Sequence, residues 1–339
     1  MVQLIIDSDG VSDDIRAISL ALQHPETEVI AITSVQGCVT VSQATANIKR
    51  TIRANERVVP VYQGAGKSII NLSKDNNVSD FFGLDGIGDK PEVEPKVLDT
   101  DFIPTSGEHA SQALIRLTKE NPDAVIVALG PLTNLALALR LDPDFATSPK
   151  KLVIMGGNYY GIGNVDMDDR VSSAEFNFHG DPEAAYVVLK EMSCPIVVLP
   201  WEANFFATVQ NEESIDFHAH LDYPTKLGEY LRAVTSVGVK KMAELGRQYA
   251  YCDEIALAAA IDETKIVLDS QYLSATVELN GFHTRGQVVI NWNEIFYASE
   301  ADKLKQASGK IKFIKKYDVA ALDHWMHATV SGKKQAFFD

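Results

Sequence analysis

Four aspartates lie close together near the start of the chain, directly after an apolar run. They are Asp7, Asp9, Asp13 and Asp14, within the stretch Asp7-Ser8-Asp9-Gly10-Val11-Ser12-Asp13-Asp14. Like charges at this density repel one another unless a cation neutralises them, and divalent cations such as Ca²⁺ prefer oxygen ligands. A helix cap needs only one acidic residue. The run therefore predicts an oxygen-ligated metal site.

On the residues alone, this run can be compared with two known motifs, the EF-hand calcium loop and the N-terminal loop of haloacid dehalogenase-type phosphatases. An EF-hand loop does not fit, because Val11 occupies a ligand position, the required glycine is missing and the preceding segment has a strand pattern. A phosphatase of the haloacid dehalogenase type would use Asp7 as its nucleophile and Asp9 as its acid. That alternative stays open, although it gives Asp13 and Asp14 no role.

The run also resembles the N-terminal DxDxxxDD fingerprint of the inosine-uridine-type nucleoside hydrolases. The resemblance continues in matching order to about residue 290. The further matching blocks are Leu129-Gly130-Pro131-Leu132-Thr133-Asn134, Met155-Gly156-Gly157, Gly163-Asn164, Ala174-Glu175-Phe176-Asn177, Asp181-Pro182-Glu183-Ala184-Ala185, Asp253 and Thr284-Arg285-Gly286. This family cleaves the N-glycosidic bond of ribonucleosides with water. The resemblance therefore implies hydrolysis of nucleosides such as inosine and uridine to ribose and a free base.

The resemblance implies a bound Ca²⁺ and a role for each residue around it. Asp9 is implied to be the general base that activates the attacking water, and also a calcium ligand. Asp14, Asp253 and the backbone carbonyl of Leu129 are implied to be the other protein ligands. Asp7 would support the cluster from behind or through water.

Five residues match the ribose-binding positions of the family. Asp13 would hold the ribose 2′-hydroxyl, and Asn164, Glu175 and Asn177 match positions that bind the rest of the sugar. Met155 matches a backbone contact in the same wall. On the residues alone, Asn164 could be an ordinary turn residue, and Glu175 and Asn177 could be alternate residues on an exposed strand edge.

Three residues depart from the family pattern around the expected pocket. Cys252 stands where family members often have His or Trp, immediately before the late metal-binding aspartate. Cys38 replaces the usual Asn or Asp after Gly37, and Phe82 replaces a His found in the flexible loop. We predict that Cys252 donates a proton or hydrogen bond to the departing base, that Cys38 assists from the other side, and that Phe82 contacts the base. The changes predict a broad specificity that covers purine and pyrimidine nucleosides.

A non-catalytic reading also stays open. A calcium-dependent nucleoside-binding protein could keep the aspartate run and lack leaving-group activation. The retention of Asp9 argues against it, because a binding protein does not need a general base.

Short apolar runs alternate with amphipathic stretches over the first two thirds of the chain. The predicted strands are Leu4–Ile6, Val29–Thr33, Val58–Val61, Ala124–Ala128, Leu152–Met155 and Ile196–Leu199. The predicted helices are Asp14–Gln23, Ser42–Ala54, His109–Glu120, Leu132–Leu141 and Pro182–Met192. This alternation predicts an α/β fold with a mostly parallel central sheet and flanking helices, Rossmann-like, with its site beyond the carboxyl ends of the strands.

The rest of the chain shows no linker or repeat, so a single domain over residues 1–339 is expected. Residues 67–104 are rich in Asp, Gly, Asn and Pro and predict a long loop. Residues 214–261 predict helices with a break near 247–251, followed by strands at Ser274–Leu279 and Gln287–Ile290. The pattern at Ile314–Val330 predicts a final helix.

Composition limits the partners and the location. The formal net charge of −15 would repel nucleic acid and anionic membrane surfaces, and no apolar run approaches the ~18 residues of a membrane helix. Three widely spaced cysteines do not form a disulfide framework. We therefore expect a cytoplasmic protein whose partner is a small-molecule nucleoside. The resemblance implies a homodimer or homotetramer.

Overall fold

Apolar β-branched runs form the central sheet of the molecule. The computed structural model describes residues 1–70, 79–167, 170–204, 215–297 and 311–338. The strands are β1 (Val2–Ser8), β2 (Thr27–Ser34), β3 (Val61–Gln63), β4 (Val125–Ala128), β5 (Lys151–Met155), β6 (Asp166–Met167), β7 (Arg170–Val171), β8 (Ile196–Leu199), β9 (Val267–Leu273), β10 (Ala275–Val277), β11 (Val288–Ile290) and β12 (Ile311–Tyr317).

Eight of these strands form one sheet in the order β3-β2-β1-β4-β5-β8-β12-β9. All neighbouring pairs are parallel except β12 with β9. Strand β1 is central and lies between β2 and β4, so its carboxyl end is flanked by two other strand ends. The two remaining described pairs, β10 with β11 and β6 with β7, are short antiparallel ribbons.

Helices cover both faces of the sheet. They are α1 (Ser12–Gln23), α2 (Val41–Ala54), α3 (Ala110–Glu120), α4 (Thr133–Leu141), α5 (Phe176–Gly180), α6 (Pro182–Glu191), α7 (Lys226–Glu244), α8 (Asp253–Ile261), α9 (Glu263–Ile266), α10 (Asn293–Phe296) and α11 (Val319–Ser331). Alternate residues of β1 supply the two cores: Leu4 and Ile6 pack on one face and Ile5 on the other. The predicted α/β fold with a mostly parallel sheet is confirmed.

Two predicted elements are wrong in their bounds. The final helix begins at Val319 and not at Ile314, because Ile311–Tyr317 pairs with β8 and β9 as a strand. The Asp318 side chain then accepts a hydrogen bond from the Ala321 amide and caps the helix. The strand predicted at Val58–Val61 is instead Val61–Gln63, next to β2.

The predicted long loop is also described in part. Residues 79–98 hold no helix or strand in the part of the chain that the structure describes, and a short 3₁₀ turn follows at Asp99–Phe102. Residues 71–78 lie outside the described residues. None of the described helices is both long enough and apolar enough to cross a membrane.

Candidate active site

The aspartate run lies at the carboxyl end of the central strand β1, where it turns into α1. Asp7 is in the strand, Asp9 follows it, and Asp13 and Asp14 are in the first turn of α1. Gly10 has a φ of +69°, and a Cβ on it would lie 2.7 Å from the Ala44 carbonyl oxygen. The turn therefore requires glycine, and it directs the acidic side chains to the same edge of the sheet.

Asp9 is buried and held by the loop that follows β2. Its Oδ2 accepts a hydrogen bond of 2.7 Å from the backbone N–H of Cys38. A Cβ on Gly37 would lie 2.0 Å from this oxygen, so only glycine permits the approach. Burial raises the pKa of Asp9, and hydrogen bonds from Asp14 and Cys38 oppose that rise. The candidate general base is thus fixed in position by backbone geometry.

Asp13, Cys252 and Asp253 meet although they come from opposite ends of the chain. One candidate ligand atom of each lies within 4.8 Å of the others. Asp14 lies beside them, and its Oδ1 accepts a hydrogen bond of 2.6 Å from the Ser8 hydroxyl. The predicted proximity of Asp253 to the N-terminal run is therefore present in the fold.

The electrostatics of this cluster favour a bound cation. Burial raises the pKa of Asp13 to about 7 and the pKa values of Asp14 and Asp253 well above the ordinary range, and repulsion from neighbouring carboxylates adds to each. The buried Oδ1 of Asp13 has no hydrogen-bond partner among the described residues. A divalent metal that prefers oxygen ligands would fit this cluster, because the cluster offers carboxylate oxygens, negative charge and an oxygen without a partner. The available carboxylates are Asp9, Asp13, Asp14 and Asp253.

Asp7 lies near the end of β1, two residues before Asp9. It is fully buried, and its Oδ1 accepts hydrogen bonds from the Thr33 hydroxyl at 2.5 Å and the Asn134 amide at 2.7 Å. Burial raises its pKa to about 7. A fully buried carboxyl group with these partners is poorly placed to attack a phosphate ester, which counts against the phosphatase alternative.

A second group of predicted residues forms a polar wall at the ends of β4 and β5. The Asn177 amide donates to the carbonyl oxygen of Leu129 at 2.8 Å and to that of Met155 at 3.2 Å. Glu175 accepts from the backbone N–H groups of Asn177 at 2.9 Å and Gly157 at 2.8 Å. The Leu129 carbonyl, which the resemblance implies is a metal ligand, thus already has an amide partner here.

Glu175 does not lie on an exposed strand edge, the alternative that its spacing left open. It caps the short helix Phe176–Gly180 and is 1% exposed. Burial raises its pKa to about 7, and the field of Asp9 adds to the rise. The field of Asp9 at Glu175 indicates that the wall and the acidic cluster face the same region.

Asn164 is exposed. Its Oδ1 accepts a hydrogen bond of 2.7 Å from the Phe176 amide. This bond attaches the 163–164 turn to the helix that Glu175 caps. The matching block Thr284-Arg285-Gly286 is structural, since Arg285 pairs with both oxygens of Glu183 at 2.7 and 2.8 Å.

The two predicted cysteines both lie next to carboxylates of the cluster, Cys38 beside Asp9 and Cys252 beside Asp13 and Asp253. Cys38 packs in a small apolar group with Phe82 and Tyr249, and Cys252 precedes Asp253 at the start of α8. Burial raises the pKa values of both thiols, and the nearby carboxylates raise them further. Both cysteines therefore carry a proton near neutral pH, as a hydrogen-bond donor requires.

Sequence reasoning missed Arg16, Glu254 and Tyr249. Arg16 and Glu254 form a fully buried ion pair of 2.5 Å beneath the cluster, and the Arg16 guanidinium lies 4.3 Å from the centre of the Tyr249 ring. One signal was available: Glu254 is a charge in a helix that is otherwise apolar after Asp253. A charge in that position predicts a buried partner, but not which one.

Both the sequence and the fold of the chain are similar to those of known proteins. The profile of the family "Inosine-uridine preferring nucleoside hydrolase" matches residues 4–323. The chain is 31% identical over 301 residues to the inosine-uridine preferring nucleoside hydrolase of Leishmania major, a match that covers 86% of this chain and 88% of that protein.

Other relatives match over part or all of the chain. A probable uridine nucleosidase 1 of Oryza sativa subsp. japonica is 37% identical over 189 residues, which cover 55% of this chain and 54% of that protein. The chain thus spans about half the length of the plant relatives it matches. The solved structure titled inosine-guanosine nucleoside hydrolase is similar with a TM-score of 0.80 at 32% identity, covering 97% of this chain and 98% of that one.

Proposed function

The chain belongs to the inosine-uridine preferring nucleoside hydrolase family, and from this premise we propose that it hydrolyses the N-glycosidic bond of ribonucleosides to ribose and a free base. One observation carries the proposal. Asp9, Asp13, Asp14 and Asp253 are brought together at the carboxyl end of the sheet, with raised pKa values and a buried oxygen of Asp13 that has no partner among the described residues.

The reaction needs a base, a grip on the sugar and assistance for the leaving group. Asp9 takes a proton from water, and the water oxygen forms a bond to the anomeric carbon of ribose while the bond to the base nitrogen breaks. The bonding electron pair leaves with the base. Asp13 would accept a hydrogen bond from the 2′-hydroxyl, and the wall of Glu175, Asn177, Met155 and Asn164 would hold the rest of the ribose.

We propose Ca²⁺ as the metal of this generally metal-dependent family. The candidate ligands that the resemblance implies are Asp9, Asp14, Asp253 and the Leu129 carbonyl, and all four are oxygen donors, which suits a hard cation. Asp9, Asp14 and Asp253 lie close enough to raise one another's pKa values. When bound, Ca²⁺ would orient the water and the ribose hydroxyls. The amide of Asn177 lies on the Leu129 carbonyl, whose second lone pair is available for a metal.

We propose that the departing base is assisted by Cys252, with Cys38 on the opposite side and Phe82 against the base. The support is proximity: Cys252 lies beside Asp13 and Asp253, the Cys38 amide bonds Asp9, and Phe82 packs in the same apolar group as Cys38. A protonated thiol can donate to a ring nitrogen without first acquiring a proton. The lack of a Trp or His at residue 252 supports a substrate range that includes inosine and uridine.

The first test is direct incubation with nucleoside. Purified protein with Ca²⁺ in phosphate-free buffer is given inosine or uridine, and free base and reducing sugar are followed by chromatography. We expect equal amounts of base and ribose from both substrates, and none from Asp9→Asn protein. Binding of inosine without release of base would instead support the nucleoside-binding protein and overturn the hydrolase proposal.

Three further proposals concern the whole protein. We propose a single domain over residues 1–339, because one sheet collects strands from Val2 to Tyr317. We propose a homodimer or homotetramer, which light scattering on a sizing column would test. We propose a cytoplasmic location, supported by three unpaired cysteines.

A further inference from the structure

A fully buried ion pair lies directly beneath the acidic cluster and joins the two helices that carry it. Arg16 is on α1, close behind Asp13 and Asp14, and Glu254 is on α8, next to Asp253. Their side chains are 0% exposed, and Arg16 Nε lies 2.5 Å from Glu254 Oε1. Burial of two charges is costly. Among the described residues, Arg16 Nε, Arg16 Nη1 and Glu254 Oε1 form no hydrogen bond of acceptable geometry, so the two residues are held by the attraction of their charges and by their hydrogen bonds to other groups.

Each member of the pair has a second contact that fixes the site region. Arg16 Nη2 donates a hydrogen bond of 3.0 Å to the Ala250 carbonyl, which lies in the loop before α8. Glu254 Oε2 accepts a hydrogen bond of 2.8 Å from the Cys252 amide, the residue that precedes Asp253. The pair thus ties α1 to both the loop and the first turn of α8, and so sets where Asp253 lies relative to Asp13.

Arg16 also holds the apolar wall of the pocket. Its guanidinium lies 4.3 Å from the centre of the Tyr249 ring, and that ring packs in the same group as Cys38 and Phe82. The Tyr249 hydroxyl is buried and has no hydrogen-bond partner among the described residues. Arg16 therefore contacts both Glu254, the neighbour of Asp253, and the ring of Tyr249, which packs with Cys38 and Phe82.

We propose that the Arg16–Glu254 ion pair is a positioning device for the acidic site, one that fixes the separation of Asp13 and Asp14 from Asp253 and so sets the affinity for the cation. The inference rests on the proposed function, since it assigns the cluster to a divalent cation. Neither residue touches the substrate or the metal. Both act through the carboxylates next to them.

The ion pair has no net charge. If the pair acts through its charges, the single variants should change calcium affinity in opposite directions, whereas if it acts by positioning the helices, both should weaken calcium binding. The charges of both residues act on Asp13: the negative charge of Glu254 raises the pKa of Asp13, and the positive charge of Arg16 lowers it. If charge alone mattered, Arg16→Met would leave an extra negative charge and strengthen calcium binding, whereas Glu254→Gln would weaken it. If position matters, both variants weaken binding, because each releases α1 from α8.

The experiment is a double-variant cycle on the full chain with Ca²⁺ as the probe. Arg16→Met, Glu254→Gln and the double variant are stripped with EDTA, dialysed and titrated with CaCl₂ by calorimetry, with thermal unfolding measured in parallel. Loss of a group that orients metal ligands costs roughly 10–100-fold in metal affinity. We expect this loss of calcium affinity in both single variants and in the double variant. The melting temperature of the double variant should nevertheless recover toward the wild-type value, because no unpaired buried charge remains.

A matched control is the other deeply buried arginine, Arg50, which contacts the 79–104 loop and none of the carboxylates. Arg50→Met should lower the melting temperature and leave the calcium dissociation constant unchanged. A double variant of Arg16 and Glu254 with wild-type calcium affinity would overturn the proposal, as would tighter binding by Arg16→Met. If that single variant fails to fold, Glu254→Gln and the double variant decide the question.

Calcium titration separates this proposal from the proposed function. If wild-type protein binds Ca²⁺ but releases no base from inosine or uridine, the hydrolase proposal fails while the positioning proposal is still decided by the cycle. If both single variants hydrolyse inosine at the wild-type rate and bind calcium normally, the positioning proposal fails and the hydrolase proposal stands.

Discussion

The acidic site buries several carboxylates together, whereas the 79–104 loop is held by one buried cation, Arg50. The Arg50 guanidinium donates to the carbonyl oxygens of Pro95 at 2.8 Å, Lys90 at 2.7 Å and Val93 at 2.8 Å, and it lies 5.3 Å from the centre of the Tyr230 ring. Its charge thus has partners within the chain.

The acidic site, in contrast, holds more buried negative charge than buried positive charge. Four aspartates converge there, and Arg16 beneath them is already paired with Glu254. Burial and mutual repulsion therefore raise the pKa values of the cluster. Removal of the partners of a buried charge lowers stability strongly. A group of buried charges that the chain does not neutralise also lowers stability, and it is typical of a functional site.

The largest effect is expected at the acidic site. Asp9→Asn removes the proposed base while keeping a side chain of the same shape, so the hydrogen bond from the Cys38 amide is retained. General-base catalysis contributes about 10²–10⁴-fold, and we expect kcat for inosine to fall about 10³-fold. Steady-state kinetics at saturating Ca²⁺ measure this, and circular dichroism controls for folding. Undiminished turnover would remove Asp9 from the base role.

The Arg50 region should show the reverse behaviour. Arg50→Met leaves three carbonyl oxygens of the loop without their donor, and we expect the free energy of unfolding to fall by about 3 kcal/mol. Denaturant unfolding measures the loss. Calcium affinity should not change, since within the described ranges Arg50 makes no hydrogen bond or ion pair with Asp9, Asp13, Asp14 or Asp253. A weaker calcium affinity in this variant would break the contrast between the two regions.

The third prediction concerns Cys252, which lies on the side of the site that we propose faces the nucleobase. Cys252→Ala removes the proposed donor to the departing base, and we expect kcat for inosine to fall about 10²-fold, the lower end for acid catalysis. Cys252→Ser keeps a hydroxyl donor and should recover part of the rate. Cys194→Ala is the matched control, because Cys194 lies away from the cluster at the start of β8. Equal rates for Cys252→Ala and wild type would contradict the role.

The smallest expected effect is on stability without metal. Burial raises the pKa values of Asp7, Asp13 and Glu175 to about 7. These carboxyl groups bind protons more tightly in the folded chain than in the unfolded chain, so stability falls as pH rises from about 5 toward 7. We expect the free energy of unfolding of the metal-free protein to fall over this range by on the order of 1 kcal/mol.

Denaturant unfolding of EDTA-treated protein at pH 5.5 and 7.5 measures this loss. Ca²⁺ should reverse it at the higher pH, because the cation stabilises the ionised carboxylates. Metal-free protein that is more stable at pH 7.5 would show that the cluster does not carry the excess of negative charge that distinguishes it from the Arg50 region.

Much of the site could be predicted from local sequence. The strand before Asp7, the glycine turn at Gly10 and the start of α1 are neighbours in the chain, so their geometry follows from local rules. The same holds for the alternation of strands and helices. The error at residues 314–317 has a physical cause: Ile311–Tyr317 is apolar enough for either element, and pairing with β8 and β9 decides for a strand.

Other parts of the site depend on distant partners. Glu175 is a helix cap and not part of an exposed strand, because Gly157 and Phe178 supply backbone N–H groups to it. The alternating positions of Glu175 and Asn177 could not reveal those donors.

The sequence by itself determined that an acidic run follows a buried strand and precedes a helix, and hence that this chain has a candidate metal site at a strand end. Only the tertiary structure decided what stands around that run. Arg16 bonds the carbonyl of Ala250, 234 positions away, and pairs with Glu254 next to Asp253. Such contacts are chosen by how α1 and α8 pack on the sheet, because buried charges must find partners wherever the packed elements bring them.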